Sequence, residues 1–452
     1  MQSARARRLA VFAFISPYVK CYLWQARVGR NPKVGPRYNR ARDMSESKKP
    51  QAMPMGPERE LQIYAQGLAG GKPSVPVPLD LLEQRAKETL SPRAYDYVAG
   101  GAGGEDTIRA NREAFYRWRI VPRMLRDVAR RDLSVELFGA RFAAPILLGP
   151  VGVQEIVHDE ADVASARAAA SLGLPFVLST MSSRTIEEVA QAAAKVAESP
   201  RWFQLYWGKN PDVTASMVQR AERAGYAVLL VTLDTHSLGW RERDLHHGYL
   251  PFMHGQGLAN YFSDPVFRGL LPQPPEQNPM AAIQLWGSLF ANPALTWKDL
   301  AFLRQHTRVP IILKGVLHAN DAARALEAGV DGLIVSNHGG RQVDGTIGAL
   351  DALPGVVREV HGRVPVLFDS GIRRGADVFK ALALGARAVL VGRLYLWGLA
   401  VAGEEGVRDV LLNLVADLDL TMALSGYTCC RELDASALSN SDSTEPLRQP
   451  QL

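Results

Sequence analysis

Eight short apolar runs punctuate the chain, each bounded by glycine, proline or polar residues. They begin near residues 143 (AAPILLGPVG), 176 (FVLST), 202 (WFQLYW), 227 (AVLLVTLD), 309 (VPIILKGV), 332 (GLIVSNHGG), 364 (VPVLFDSGI) and 388 (AVLVGR). Runs this short and this uniformly apolar fit strands covered on both faces. The segments between them shift to a helical period, as in EADVASARAAASLG, TIEEVAQAAAKVAE and GADVFKALALGA. Successive runs start 23–33 residues apart, apart from one interval of 82. Eight such units predict an α/β chain folded as a (β/α)8 TIM barrel; a doubly wound open sheet accounts less well for eight evenly spaced repeats.

The long interval, residues 235–308, is rich in glycine, proline, histidine and aromatic residues. It leaves the C-terminal end of the fourth strand, so it is expected to form a lid over the barrel mouth. Residues 57–135 read as helices and turns ahead of the barrel, with a helical pattern from Pro78 to Leu90 and a break at Gly100–Gly104. The domain is therefore expected over 57–435, and the polar stretch 436–452 is expected to be disordered.

Charge divides the chain unevenly. The net +6 of its 452 residues conceals a +10 segment at residues 1–50, leaving −4 on the remainder. The basic character therefore belongs to an extension over 1–56 and gives no reason to expect nucleic-acid binding by the folded body. That extension reads as disordered or as preceding initiation at Met44; a targeting signal around Leu9–Ser16 is the alternative. Nothing approaches the run of apolar residues a membrane helix needs. Three cysteines, two of them adjacent, suit a reducing, cytoplasmic setting.

In such barrels the chemistry gathers at the C-terminal strand ends. Reading only those positions gives Pro150, Val151 and Gly152, then Ser179, Gln204, Tyr206, Thr232, Asp234 and Lys314. Strand six ends in Ser336-Asn337-His338-Gly339-Gly340-Arg341. Strands seven and eight supply Asp369, Ser370, Gly371, Arg373, Gly392 and Arg393. Glycines that admit close backbone approach, beside two arginines, make these last loops a phosphate cradle. His338 is a candidate general base, with Asp234 placed to orient it. Arg241 and Arg341 are candidates to fork onto a carboxylate. No metal-ligand spacing is present, and GGAGGE at 100–105 lacks the ending of a nucleotide phosphate loop.

With these residues laid out, the chain resembles the FMN-dependent 2-hydroxy acid oxidase and dehydrogenase family. SNHGGRQVDG is the specific mark, supported by FQLYW, TLDTHSLGWRERD, ILKGV, FDSGIRRGADVFKALALGA and LTMALSGY, over about residues 60–435. Within the family it is most similar to the lactate 2-monooxygenase branch, through YAQGLAG, Gly152 and GWRERDL. The resemblance implies FMN as cofactor. Pro150, Val151 and Gly152 would lie against the flavin ring. Ser179, Gln204, Thr232 and Ser336 would touch its polar edge, and Lys314 would stabilise negative charge there. Asp369, Arg373, Gly392 and Arg393 would bind the phosphate. Tyr97, Tyr206, Arg241, His338 and Arg341 would bind or activate the substrate.

The implied activity is oxidation of a small, lactate-like L-2-hydroxy acid with oxygen as acceptor, and a closed lid would favour oxidative decarboxylation. The alternatives are an oxidase releasing peroxide, or a dehydrogenase passing electrons to a quinone or cytochrome. A non-catalytic flavin-binding barrel would be expected to lack His338 or one of the two arginines; all three are present. The resemblance also implies a homo-oligomer. Met181 stands where relatives often carry an aromatic, which leaves the substrate side chain open. Leu394 replaces a frequent proline after VGR.

Overall fold

The computed structural model describes Met53 and residues 55–441. The expectations for residues 1–52 and 442–452 lie outside the described residues.

Four helices precede the barrel: Gly56–Leu68, Leu79–Thr89, Pro92–Ala99 and Asp106–Arg117. Ser91 starts the third, its hydroxyl accepting from the Ala94 N–H with Pro92 at the first helical position. β1 (Trp118–Ile120) follows, and then a hairpin of β2 (Val135–Leu137) and β3 (Ala140–Phe142). The barrel strands are β4 (Ile146–Leu148), β5 (Phe176–Ser179), β6 (Arg201–Leu205), β7 (Val228–Thr232), β8 (Ile311–Val316), β9 (Gly332–Val335), β10 (Val366–Phe368) and β11 (Val389–Val391). They pair in parallel in sequence order, and β11 meets β4 to close the barrel. Each coincides with one of the eight apolar runs.

Alternation along these strands separates two cores. Leu147, Val177, Trp202, Leu230, Ile312, Ile334, Leu367 and Leu390 form one cluster with Leu137 and Phe142 of the hairpin. Their neighbours in sequence, such as Leu148, Leu178, Phe203, Val231, Leu313, Val335 and Phe368, belong to the larger cluster that includes the surrounding helices. The hairpin acts as a plug. Phe138 and Phe142 meet Trp202 edge-on at 5.6 and 6.1 Å, and each large side chain so buried contributes about 1.5–3 kcal/mol. Two residues beyond the interior layer, on the same strand face, stand Ser179, Gln204, Thr232, Lys314, Ser336 and Asp369. Because the N-terminal end is filled with hydrocarbon, these polar groups ring the opposite end.

The domain continues past residue 435, where the polar composition predicted its end. β12 (Leu438–Asn440) pairs antiparallel with β1, and Leu438 is buried. One buried leucine in a three-residue strand is too short a signal to register as a pattern. The 235–308 interval is largely helical, with Glu242–His247, Ala259–Phe262, Pro265–Gly269, Pro279–Phe290 and Leu300–His306. No helix among the described residues is long and apolar enough to cross a membrane.

Candidate active site

A cleft of about 1180 Å³, open mouth included, occupies the C-terminal end of the barrel. Its lining contains Tyr97, Pro150, Val151, Gly152, Ser179, Tyr206, Arg241, Lys314, His338, Arg341, Asp369, Ser370, Gly371, Arg373, Gly392 and Arg393. The expected residues are thus brought together, with four behind the wall. Gln204, Thr232 and Ser336 are buried and Asp234 is partly buried, all outside that lining; Gln204, Ser336 and Asp234 hydrogen-bond the lining residues Ser179, Lys314 and His338, and Thr232 bonds Gln204.

His338 sits on a strained turn. Its φ is +58°, and Gly339 and Gly340 follow at +64° and +77°; a histidine in the left-handed region costs energy that its surroundings must offset. Ser336 Oγ accepts from the His338 N–H at 3.0 Å, and Ser370 Oγ accepts from the Gly339 N–H at 3.0 Å. Asn337 Oδ1 accepts from the Gly340 N–H at 3.1 Å, and its amide pairs reciprocally with Asn111 at 2.7 and 2.9 Å. A side chain at Gly340 would strike Ile108. The helix Asp106–Arg117 therefore braces the turn directly.

The imidazole is fixed from both sides. His338 Nδ1 lies 2.8 Å from Asp234 Oδ1, and Tyr206 OH is 3.5 Å from Nε2. Thr235 Oγ1 donates to Asp234 Oδ1 at 3.0 Å and sits 3.3 Å from Nδ1. Burial pushes the imidazole below its ordinary value, Asp234 opposing and Lys314 and Arg241 reinforcing the shift. Burial alone would raise Asp234, but His338 and Lys314 beside it hold it at about 2. The pair is therefore a neutral histidine oriented by a carboxylate, with Nδ1 donating and Nε2 facing the cleft as acceptor. An imidazole so held can take up a proton at Nε2.

Lys314 is buried yet held ionised, because Asp369 and Asp234 outweigh the cost of burial. Its ammonium lies 3.1 Å from Asp369 Oδ2 and donates to Ser336 Oγ at 2.8 Å. The arginines are compensated differently. Arg341 donates to the Tyr97 and Gly100 carbonyls at 2.7 and 2.6 Å. Arg393 donates to the carbonyls of Val98, Gly100 and Gly339 at 2.8–2.9 Å. The helix Pro92–Ala99 thus ends on two guanidinium groups, the sign its dipole favours. Arg373 has only the Ile372 carbonyl, at 3.1 Å. None of the three forms an ion pair with a carboxylate among the described residues. Burial lowers the proton affinity of all three, Arg341 to about 10. Partly buried cations whose hydrogen bonds go to carbonyl dipoles and not to carboxylates suit the binding of anions. A phosphate and a carboxylate fit that demand, so this donor set is compatible with FMN and an acid substrate.

Sequence reasoning missed several parts of the site. Thr235 was legible in TLDTH as a hydroxyl beside Asp234. Asn111 and Asn337 act through the backbone of the turn, which no local pattern reveals. Phe252 and Phe290, which line the cleft from the long crossover, appeared only as part of an aromatic-rich insertion.

A protein-family model described as FMN-dependent dehydrogenase matches residues 86–440. The chain is 49% identical over 371 residues to an FMN-dependent alpha-hydroxy acid dehydrogenase, qulF, of Penicillium citrinum, covering 81% of this chain and 92% of that one. It is 43% identical over 364 residues to an L-lactate oxidase of Lysinibacillus sphaericus, covering 80% and 93%. Among solved structures, mandelate oxidase superposes with a TM-score of 0.71 at 38% identity, over 81% of this chain and 98% of that one.

Proposed function

Because the chain belongs to the FMN-dependent dehydrogenase family, we propose that this cleft oxidises L-2-hydroxy acids to 2-keto acids, with oxygen as terminal acceptor. The observation that carries the reading is the neutral His338, oriented by Asp234 at 2.8 Å, in one cleft with Arg241 and Arg341.

FMN, when bound, supplies the acceptor for the two electrons that leave the substrate. Arg373 and Arg393, with the backbone of Gly371 and Gly392, would hold its phosphate. Pro150, Val151 and Gly152 would support its ring, with Ser179 at its polar edge and Lys314 contributing fixed positive charge. Gln204, Thr232 and Ser336 would act from behind the lining, while Asp369, which lines the cleft 3.1 Å from the Lys314 ammonium, would stand with the phosphate-binding arginines. Gln204 Nε2 donates to Thr232 Oγ1 at 2.9 Å, while its Oε1 accepts from Ser179 Oγ at 3.0 Å. That chain fixes which way the Ser179 hydroxyl points.

Arg241 and Arg341 would clamp the substrate carboxylate, with Tyr97 and Tyr206 beside it. Arg241 is held for this by the Arg341 carbonyl at 3.1 Å and by Gln342 Oε1 at 2.9 Å. His338 Nε2 would remove the proton, whether from the hydroxyl or from C2, and Asp234 would stabilise the resulting imidazolium. Overall the acid loses two electrons and two protons, and oxygen takes them up as hydrogen peroxide. Oxygen as acceptor is supported by the likeness to an L-lactate oxidase. The narrower reading has the cleft accept small, lactate-like acids and retain the 2-keto acid until peroxide converts it to the shortened acid, CO2 and water, as pyruvate to acetate when lactate is the substrate. It is supported by Leu238, Phe252 and Phe290, which line the cleft from the 235–308 segment.

The test is His338→Gln, which keeps a polar side chain without a base. Flavin reduction by L-lactate should fall by about 10²–10⁴ while FMN stays bound; reduction at the wild-type rate would refute the assignment. Acetate and CO2 as products would support the decarboxylating reading, and stoichiometric pyruvate with free peroxide would refute it.

A further inference from the structure

The end of the cleft beyond the reacting head is apolar, and much of it comes from the long crossover. Phe290, at the last turn of helix Pro279–Phe290, meets Tyr206 edge-on at 5.5 Å. The Tyr206 hydroxyl is in turn 3.5 Å from His338 Nε2. Asn278 fixes this helix, accepting from the Ala281 N–H at 3.1 Å. Trp286 and Phe290 lie one turn apart on it, with ring centroids 5.0 Å apart. Phe252 closes the group at 5.1 Å from Trp286 and 6.4 Å from Phe290. Val157 and Met181 face the same space from the loops after β4 and β5.

This wall is held in place by contacts outside the cleft. Asn260, fully buried, donates to the carbonyl of Thr180 at 3.1 Å and to Ser182 Oγ at 2.9 Å. Its Oδ1 accepts from the Ile186 N–H at 2.9 Å. Gly257, at φ +71°, comes so close to Val153 and the Met181 carbonyl that any side chain there would collide. Its N–H donates to Glu155 at 2.7 Å. The crossover is therefore stitched to the loops beside Gly152 and Met181.

We infer that Phe290 and Phe252 are specificity-determining residues, selecting 2-hydroxy acids whose side chain is apolar and bulkier than the methyl of lactate. The inference rests on the reading of the cleft as a hydroxy acid site. The polar side chains that line the cleft beside this wall, Tyr97, Tyr206, Thr235, Arg241, His338 and Arg341, belong to the reacting head or the carboxylate clamp, and the unpartnered indole N–H of Trp286 is buried outside the lining. A hydroxyl or second carboxylate on the substrate side chain would be buried against aromatic carbon without a partner, a penalty of about 10–100-fold. An apolar side chain instead gains about fourfold per buried methylene.

The experiment is anaerobic stopped-flow reduction of the FMN-loaded full chain by glycolate, L-lactate, L-2-hydroxyisocaproate, L-phenyllactate and L-malate. Binding of pyruvate and of 2-oxoisocaproate is measured alongside through the visible spectrum of the bound flavin. The expected order places hydroxyisocaproate or phenyllactate above lactate, and lactate above glycolate and malate. Phe290→Ala should lower the ratio of hydroxyisocaproate to lactate about tenfold, through KM more than kcat, and weaken 2-oxoisocaproate binding in step. Phe290→Leu, which retains apolar volume, should restore part of both; if the alanine variant fails to fold, the leucine variant and the wild-type order still decide. Efficient reduction by all five acids without this order, or with glycolate or malate preferred, would overturn the inference and leave the hydroxy acid reading intact. No reduction by any of them would overturn that reading and the inference with it.

Discussion

Asp162 is a carboxyl the chemistry does not use, and its burial makes a quantitative prediction. It is fully buried near the start of helix Ala161–Ser171. One oxygen accepts from the Ser183 N–H at 2.8 Å, while the other is buried without a hydrogen-bond partner. Burial raises its affinity for a proton from the ordinary 3.8 to about 7, and nearby Glu155 adds to the rise. A group whose proton affinity is higher in the folded chain contributes stability that is complete below the unfolded value. That stability is lost as pH rises through the folded value. The contribution of Asp162 to stability should therefore decline between about pH 4 and pH 7, and above pH 8 its deficit approaches about 4 kcal/mol at about 1.4 kcal/mol per tenfold change in affinity. Asp162→Asn removes the titration, keeps an oxygen for Ser183 and puts an NH2 where the unpartnered oxygen stands. Urea unfolding of both proteins from pH 5 to 9, at fixed FMN, should show the variant more stable at high pH, with a gap that shrinks steadily toward pH 5. A gap that does not change with pH would refute the reasoning.

Other consequences follow from the same geometry. Because burial lowers His338, and only the neutral imidazole accepts a proton, kcat/KM should fall with acid through a midpoint below 6.5; a midpoint at 7 or above would contradict it. Arg373→Met should weaken FMN retention about 10–100-fold, read by fluorescence titration, and should raise the melting temperature of the apoprotein because a partly buried, poorly compensated charge is gone. Trp202→Ala should cost about 3–5 kcal/mol in denaturant unfolding by hollowing the plug between Phe138 and Phe142, without altering KM.

The barrel was legible because parallel strands covered on both faces must be continuous apolar runs, and the chain carries eight of them. The plug was not, because β2 and β3 are three residues each and the residue joining Leu137 to Gly139, Phe138, adopts a positive φ. β12 was hidden for a similar reason, a single buried leucine in polar surroundings. The strand-end rule found the ring from Ser179 to Asp369, since a strand's alternation leads from an interior apolar residue to the polar group two residues on. It could not tell which of these groups line the cleft. Gln204, Thr232 and Ser336 occupy strand-end positions equivalent to those of Ser179 and Lys314, yet only the latter two belong to the cleft lining. Position 338 was marked by its glycines, but the bracing by Asn111, 226 residues earlier than its partner Asn337, is a long-range contact. The aromatic wall was legible as composition only; helix Pro279–Phe290 had to be placed against Tyr206 before Phe290 acquired a role.

The most direct measurement is a visible spectrum of the purified full-length protein, recorded anaerobically before and after an L-2-hydroxy acid with an apolar side chain is added. The account predicts a yellow protein whose flavin band bleaches on mixing and returns when air is admitted. A protein that takes up no FMN, or a yellow one whose band persists with every 2-hydroxy acid offered, would contradict it.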